Sequence, residues 1–204
     1  QIVSVVDTTA PTLIISQDIV AEATGIDGNT VELGEITVED INGIASLTND
    51  APEAFPFGKT VVTWTAVDTE GNQGSAVQIV SVVDTTFPVI TAPDDIIAEA
   101  THPTQNFVEM DQPKLSDIIG IKSVTNDSPD VFPIGMTTVT WTAVDTSGNS
   151  ASDTQVITIT DSTPPKITPP NNIVVEATSP SGNSVNVGQA TATDAIGIDE
   201  ITNN

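Results

Sequence analysis

The amino-acid sequence predicts an all-β protein made of tandem antiparallel β-sandwiches arranged as a rod. Three observations lead to this prediction: an internal repeat of constant length, an alternation of apolar and polar residues within it, and short, stiff connections between its copies. The chain has 204 residues and 38% of them are hydrophobic, which is enough for several small cores.

The repeat is 77 residues long, and its copies align without insertion or deletion. The segment QIVSVVDTT begins at residues 1 and 78, and the related QVITITDST begins at residue 155. The same offset relates Trp64 to Trp141. We therefore predict four segments: residues 1–6 as the last strand of a preceding module, 7–83 as module 1, 84–160 as module 2, and 161–204 as an incomplete module 3.

The longest phrase shared by modules 1 and 2 has the pattern of a strand followed by a hairpin turn. It reads FPFGKTVVTWTAVDTEGN at 55–72 and FPIGMTTVTWTAVDTSGN at 132–149. Val139 and Trp141 alternate with threonines, which is the period of a half-buried strand. Gly and Pro recur about every ten residues, so each module holds about seven short strands. This spacing predicts a two-sheet sandwich of immunoglobulin type, with Trp64 and Trp141 in the cores.

Three phrases between residues 84 and 167 resemble the hyalin repeat, an immunoglobulin-like module that occurs in tandem in extracellular and cell-surface proteins. They are DTTFPVITAPDDIIAEAT at 84–101, FPIGMTTVTWTAVDTSGN at 132–149, and TQVITITDSTPPKI at 154–167. The resemblance covers both complete modules and the first part of module 3. It implies an extracellular or cell-surface location.

The chain departs from this family where the family usually carries a cysteine pair. Ile15 and Ala76 stand at these positions in module 1, and Ala92 and Asp153 stand there in module 2. The chain contains no cysteine, so the usual disulfide and any thiolate metal site are absent.

The connections between modules are short and contain proline. VVDTTFP at 82–88 and ITDSTPP at 159–165 leave about three residues between strands, which is too few for a flexible linker. We therefore expect a semi-rigid rod in which each module contacts only its neighbours.

The charge balance limits the classes of partner. The chain has 28 acidic residues against four Lys and Arg together, for a formal charge of −24. Such a surface repels phosphate backbones and anionic lipids, so we expect no nucleic-acid partner. No run of about 18 apolar residues is present, so we expect no direct membrane insertion of this segment. Divalent cations, above all calcium, are the partners that this charge favours.

The acidic residues recur in phase with the repeat. The candidate calcium ligands are the junction aspartates Asp7, Asp84 and Asp161, the strand glutamates Glu22, Glu99 and Glu176, the loop aspartates Asp40, Asp117 and Asp194, and the hairpin residues Asp68, Asn72, Asp145 and Asn149. We expect the junction Asp, the strand Glu and the hairpin Asp of a module to converge at the pole that receives the incoming linker. Calcium requires such convergence because it takes six to eight oxygen ligands.

Two simpler interpretations remain open for these residues. An Asp that opens a DTxGN turn ordinarily bonds its own backbone while Gly supplies a positive φ. The junction Asp and the strand Glu are equally compatible with a solvated surface or with capping of turns.

The sequence contains no set of residues that predicts catalysis. His102 is the only histidine and has no counterpart in the other modules, so we interpret it as a loop residue. No nucleophile, base and orienting group can be assembled, and we predict that the chain is not an enzyme. Asn126 opens the only N-glycosylation sequon, Asn-Asp-Ser, and is a candidate modification site if the protein is secreted.

The sequence therefore predicts a structural segment of a cell-surface or extracellular protein: a stalk, a filament or an element of a surface layer. Calcium would stiffen its junctions, and neighbouring copies of the protein would be its partners. The alternative is an adhesin whose modules bind a glycan or a protein. Few aromatic residues are available for such binding, since the chain has two Trp and no Tyr.

Overall fold

The computed structural model describes residues 1–202. This part of the chain folds into strands and contains no helix, which confirms the predicted all-β class. The strands are β1 (Thr12–Ile15), β2 (Ile19–Glu22), β3 (Ile36–Glu39), β4 (Ile44–Asn49), β5 (Gly58–Asp68), β6 (Gln73–Val83), β7 (Val89–Thr91), β8 (Ile96–Glu99), β9 (Lys114–Ser116), β10 (Ile121–Asn126), β11 (Gly135–Asp145), β12 (Ser150–Thr160), β13 (Lys166–Thr168) and β14 (Thr191–Thr193).

The chain divides into two compact units. Unit 1 comprises Gln1–Val89, Leu115–Val124 and Ala143–Ala151, and it therefore contains module 1 together with one loop and the final hairpin of module 2. Unit 2 comprises Ile90–Lys114, Thr125–Thr142 and the chain from Ser152 onward. Among the residues described, no helix is long and apolar enough to cross a membrane.

Module 1 is built on a four-stranded sheet in the order β2-β6-β5-β4, with a two-stranded sheet of β1 and β3. The long hairpin β5–β6 pairs Trp64 with Ala76. Alternate side chains of β5 are buried, as the sequence pattern predicted, and Trp64 is 9% exposed. The core cluster consists of Ala23, Phe55, Val62, Trp64, Val80 and Val82.

One strand pair differs from the predicted antiparallel arrangement. β2 pairs parallel with β6, in the register Ile19 to Val80 and Glu22 to Val83. The chain crosses from the small sheet to the large one between β1 and β2, so β2 enters beside β6 in the same direction. Gln78 Nε2 donates to the Gln17 carbonyl at 3.0 Å and holds this crossing in place.

Module 2 repeats the same order, with the sheet β10-β11-β12-β8. β12 and β8 are again parallel, and Thr160 pairs with Glu99. In module 3, β13 pairs antiparallel with β14. No residue described between 161 and 202 is buried.

Candidate metal centre

The hairpin turn that ends β5 is organised by Asp68. Its Oδ1 accepts hydrogen bonds from the backbone amides of Glu70 at 2.9 Å and Asn72 at 2.8 Å, and its Oδ2 accepts one from Asn72 Nδ2 at 2.7 Å. Gly71 has a φ of 92°, which a residue with a Cβ rarely adopts. The turn interpretation of this Asp is therefore correct, and the side chain is 1% exposed.

The equivalent turn in module 2 has the same construction. Asp145 Oδ1 accepts from the amides of Gly148 at 2.6 Å and Asn149 at 2.9 Å, and Asn149 Nδ2 donates to Oδ2 at 2.9 Å. Asp145 is fully buried.

The hairpin asparagines connect each turn to the junction that enters the module. Asn72 Nδ2 donates to the Asp7 carbonyl at 3.3 Å, and Asn149 Nδ2 donates to the Asp84 carbonyl at 3.2 Å. Each junction Asp also caps its own turn, as Asp7 Oδ1 does by accepting from the Thr9 amide at 2.9 Å. Asp7 and Asp84 are thus held against the hairpins of modules 1 and 2.

The loop aspartates approach from a third segment. Asp40 Oδ1 accepts from the Asn42 amide at 2.9 Å, and Asp117 Oδ1 accepts from the Gly120 amide at 2.7 Å. The Gly120 carbonyl in turn accepts from the Thr146 amide at 3.0 Å, which fastens this loop to the hairpin.

These three segments bring their carboxylates together twice. Ligand oxygens of Asp7, Asp40 and Asp68, and separately of Asp84, Asp117 and Asp145, lie within 4.8 Å of one another. We call these groups triad 1 and triad 2. Two oxygens bound to one calcium ion at 2.3 to 2.6 Å are at most about 5 Å apart, so both triads fit a calcium ion in spacing and donor type.

Hydrogen bonding favours the charged form of several of these groups. The Thr9 amide and hydroxyl lower the pKa of Asp7, and the Thr86 hydroxyl lowers the pKa of Asp84 with help from Ser147. Burial raises the pKa of Asp68, but the hydrogen bonds of its turn outweigh burial and the net shift is downward. Asp7, Asp68 and Asp84 are therefore ionised at neutral pH, and the repulsion between Asp7 and Asp68 favours a cation bound at their site.

The strand glutamates do not join the triads, so the expected convergence is wrong for them. Glu22 accepts from the Thr85 amide and hydroxyl, and Glu99 accepts from Ser162 and Thr163. The cause is the parallel pairing of β2 with β6 and of β8 with β12. It places each glutamate at the outgoing end of its module, whereas a triad lies at the incoming end.

The candidate ligands of module 3 are not assembled into a site. Asp161 Oδ1 accepts from the Thr163 amide at 3.1 Å, Asp194 Oδ1 accepts from the Ile196 amide at 3.0 Å, and Glu176 is exposed. Within the part of the chain described, they form no third triad. The hairpin phrase that supplies Asp68 and Asp145 does not recur after residue 161.

Two buried amide side chains were missed by the sequence reasoning. Asn29 Oδ1 accepts from the Thr24 amide at 2.7 Å while its Nδ2 donates to the Phe55 carbonyl at 3.0 Å. Gln78 Oε1 accepts from Trp64 Nε1 at 3.1 Å. Both residues recur one repeat later, and a polar residue at an inward-facing position of β6 is the signal that would have revealed Gln78.

These observations define a class of protein: tandem all-β modules with a carboxylate triad where each complete module receives its linker. The profile of the HYR domain matches residues 6–82 and 83–159, and the chain belongs to the HYR domain family. This confirms the resemblance to the hyalin repeat.

Curated relatives include two proteins called hyalin. The Strongylocentrotus purpuratus protein is 36% identical over 211 residues, covering 96% of this chain and 18% of its own length. The Lytechinus variegatus protein is 36% identical over 198 residues, covering 89% of this chain and 37% of its own. The chain thus spans well under half of either hyalin. A Rattus norvegicus protein, "Sushi, von Willebrand factor type A, EGF and pentraxin domain-containing protein 1", is 38% identical over 106 residues, covering 48% of this chain and 3% of its own.

Solved structures of cadherin ectodomains are weakly similar. Extracellular cadherin domains 1–4 of protocadherin gamma B7 give a TM-score of 0.34 at 14% identity, covering 78% of this chain and 53% of that chain. The human desmocollin-1 ectodomain gives 0.27 at 12% identity, covering 80% and 43%. Similarity at this level carries no argument about function.

Proposed function

We propose that this chain is a structural segment of an extracellular or cell-surface protein, in which calcium ions at the triads stiffen the junctions between HYR modules. The observation that carries the proposal is the recurrence of triads 1 and 2, one repeat apart and with the same donor residues. Membership of the HYR family and the hyalin relatives support the extracellular location.

Each triad combines residues from three separate parts of the chain. In triad 2, Asp84 lies in the linker, Asp117 in a loop and Asp145 in the final hairpin. A calcium ion would neutralise the repulsion among these carboxylates and link the three segments. Because Asp84 belongs to the linker itself, any ion that orders triad 2 also orders the junction between modules 1 and 2.

Calorimetric titration of the 204-residue chain with calcium tests this proposal. We expect heat of binding and a higher Tm in calcium than in EDTA. Asp117→Asn is the informative variant of triad 2, since this loop Asp is separate from the hairpin turn. Asp130→Asn, an exposed Asp outside the triads, is the charge-matched control.

We expect Asp117→Asn to lose calcium binding at triad 2, whereas Asp130→Asn retains both sites. Calcium binding and a Tm shift that are identical in these two variants would show that triad 2 does not hold the ion. An unchanged Tm and no heat in the wild type would overturn the calcium part of the proposal.

Neighbouring copies of the protein are the partners that we propose. The charge of −24 opposes association unless divalent cations bridge acidic surfaces, so calcium should promote a filament or lattice. Light scattering of the chain at rising calcium concentration tests this, and a monomer at every concentration would contradict it. The adhesin alternative gains no support from the tryptophans, because Trp64 and Trp141 are both buried in cores.

A further inference from the structure

Two consecutive residues of the linker between modules 1 and 2, Asp84 and Thr85, are hydrogen-bonded to different modules. The Asp84 carbonyl accepts from Asn149 Nδ2 at 3.2 Å, and its Oδ2 accepts from the Ser147 hydroxyl at 2.9 Å. Both donors belong to the hairpin of module 2. Thr85 is bound by Glu22 of module 1 instead: its amide donates to Oε1 at 2.7 Å and its hydroxyl donates to Oε2 at 2.9 Å.

The parallel strand pair explains how Glu22 reaches Thr85. Glu22 lies opposite Val83 in the β2–β6 register, and the Ala23 amide donates to the Val83 carbonyl at 2.7 Å. The end of β2 is therefore held beside Val83, which precedes Thr85 by two residues. Both oxygens of the carboxylate are engaged, and hydrogen bonds to an ionised acceptor are stronger than neutral ones.

The same arrangement recurs one repeat later, within unit 2. Glu99 Oε1 accepts from the Thr163 hydroxyl at 2.7 Å and the Ser162 amide at 2.9 Å, and Oε2 accepts from the Ser162 hydroxyl at 2.8 Å. Ser162 occupies the position of Thr85, and the replacement retains the hydroxyl. In both linkers, the glutamate therefore binds the hydroxyl residue that directly follows the junction Asp.

We propose that Glu22 and Glu99 are positioning residues that hold the first residues of the following module in place without a cation. Each glutamate ties the linker back to the module that precedes it. In the linker between modules 1 and 2, Asn149 and Ser147 also tie Asp84 to the module that follows. Rotation about the linker must break one set of bonds or the other. The inference is independent of calcium binding, because neither glutamate belongs to a triad.

Distance measurements in EDTA test the hydrogen bonds between Glu22 and Thr85 in the absence of any bound ion. The chain lacks cysteine, so Ser75→Cys and Ser152→Cys, at equivalent exposed positions of β6 and β12, introduce a single pair of spin labels. Glu22→Gln and Thr85→Val are the test variants in this background. Glu53→Gln, at an exposed position away from the junction, is the charge-matched control.

We expect Glu22→Gln and Thr85→Val each to broaden the distance distribution, while Glu53→Gln leaves it unchanged. Hydrogen exchange gives a local readout: protection of the Thr85 amide should fall about fivefold in Glu22→Gln, because its acceptor becomes a neutral amide oxygen and neutral hydrogen bonds are roughly half as strong as those to a charged group. The Ala23 amide should retain its protection and so report that β2 stays paired. If the Ala23 amide also loses protection in Glu22→Gln, the distance distribution of Thr85→Val alone tests the proposal. Distributions as narrow as that of Glu53→Gln would overturn the proposal.

Discussion

Asn149 binds the Asp84 carbonyl at 3.2 Å while the same amide nitrogen binds Asp145 Oδ2 at 2.9 Å. A single side chain therefore joins the linker that enters module 2 to the hairpin that ends it. Asn72 makes the equivalent pair of bonds to Asp7 and Asp68. The Asn of the DTxGN phrase thus has a structural role apart from any role as a metal ligand.

Replacement of Asn149 by Ala should release both the Asp84 carbonyl and Asp145 Oδ2, and it should destabilise module 2 by about 3 kcal/mol, the typical sum for one neutral hydrogen bond and one to a charged group. Urea unfolding followed by tryptophan fluorescence measures this loss. Calcium binding at triad 2 should weaken as well, because the position of Asp84 is then less defined. Gln73→Ala, at an exposed amide in β6, is the control. Equal unfolding midpoints for the two variants would contradict a stabilising role for the hydrogen bonds of Asn149.

The buried amide pair of module 2 should also contribute to stability. Trp141 Nε1 donates to Gln155 Oε1 at 3.3 Å, and Gln155 Nε2 donates to the Asp94 carbonyl at 2.7 Å. Gln155→Leu leaves the buried Nε1 of Trp141 without an acceptor and removes the bond to the exposed Asp94, so we expect a loss of about 2 kcal/mol in the free energy of unfolding.

Fluorescence in a Trp64→Phe background makes Trp141 the only reporter for this measurement. Thr154→Leu changes the neighbouring, outward-facing residue of β12 and serves as the control. If the two leucine variants unfold at the same urea concentration, the Trp–Gln hydrogen bond does not stabilise the core.

Much of this fold could be predicted from the sequence because its signals are local and repeated. The alternation around Trp64 identifies β5, and the glycine of DTxGN identifies its turn. The placement of Asp7 near Asp68 could also be inferred, since a junction and a final hairpin meet at one end of such a sandwich.

The role of Glu22 could not be predicted in this way. Parallel and antiparallel strands share the same period of two residues, so the pattern of β2 does not reveal its direction relative to β6. The direction of β2 relative to β6 decides which end of the module Glu22 occupies. Gln78 was missed for a different reason: its inward-facing position on β6 is visible in the sequence, but its hydrogen bond to Trp64 depends on the register of β5 with β6.

Glu99 should make the stability of the protein depend on pH in a narrow acidic window. The Thr163 hydroxyl, followed by the Ser162 hydroxyl and amide, lowers the pKa of Glu99 from 4.5 to about 2. Because the folded pKa is depressed, the stabilisation is complete above about pH 4.5 and is lost as the pH falls through about 2.

An NMR titration of the glutamate carboxyl carbons measures this pKa directly. We expect Thr163→Val to raise the pKa of Glu99 towards its ordinary value, since the variant removes the largest contribution. A Glu99 resonance that titrates near pH 4.5 in the wild type would exclude the hydrogen bonds described here. Glu99→Gln should abolish this part of the acid dependence.

Asn126 and Asn49 form a natural pair for testing glycosylation. The Ser128 amide donates to Asn126 Oδ1 and the Ala51 amide donates to Asn49 Oδ1, both at 3.0 Å, so the two turns have the same geometry. They differ in the hydroxyl that an N-glycosylation sequon requires. We predict an N-linked glycan at Asn126, which is exposed at the end of β10, and none at Asn49 when the chain is secreted from a glycosylating eukaryotic cell.

Intact mass before and after enzymatic removal of N-glycans measures this modification. Ser128→Ala should abolish the mass difference, and Ala51→Ser should add a second glycan at Asn49. Because Pro52 and Pro129 follow the two sequons at equivalent positions, a glycan on Asn49 of Ala51→Ser but not on Asn126 would show that a residue other than this proline blocks the natural site. A secreted wild-type chain without any glycan would contradict the prediction.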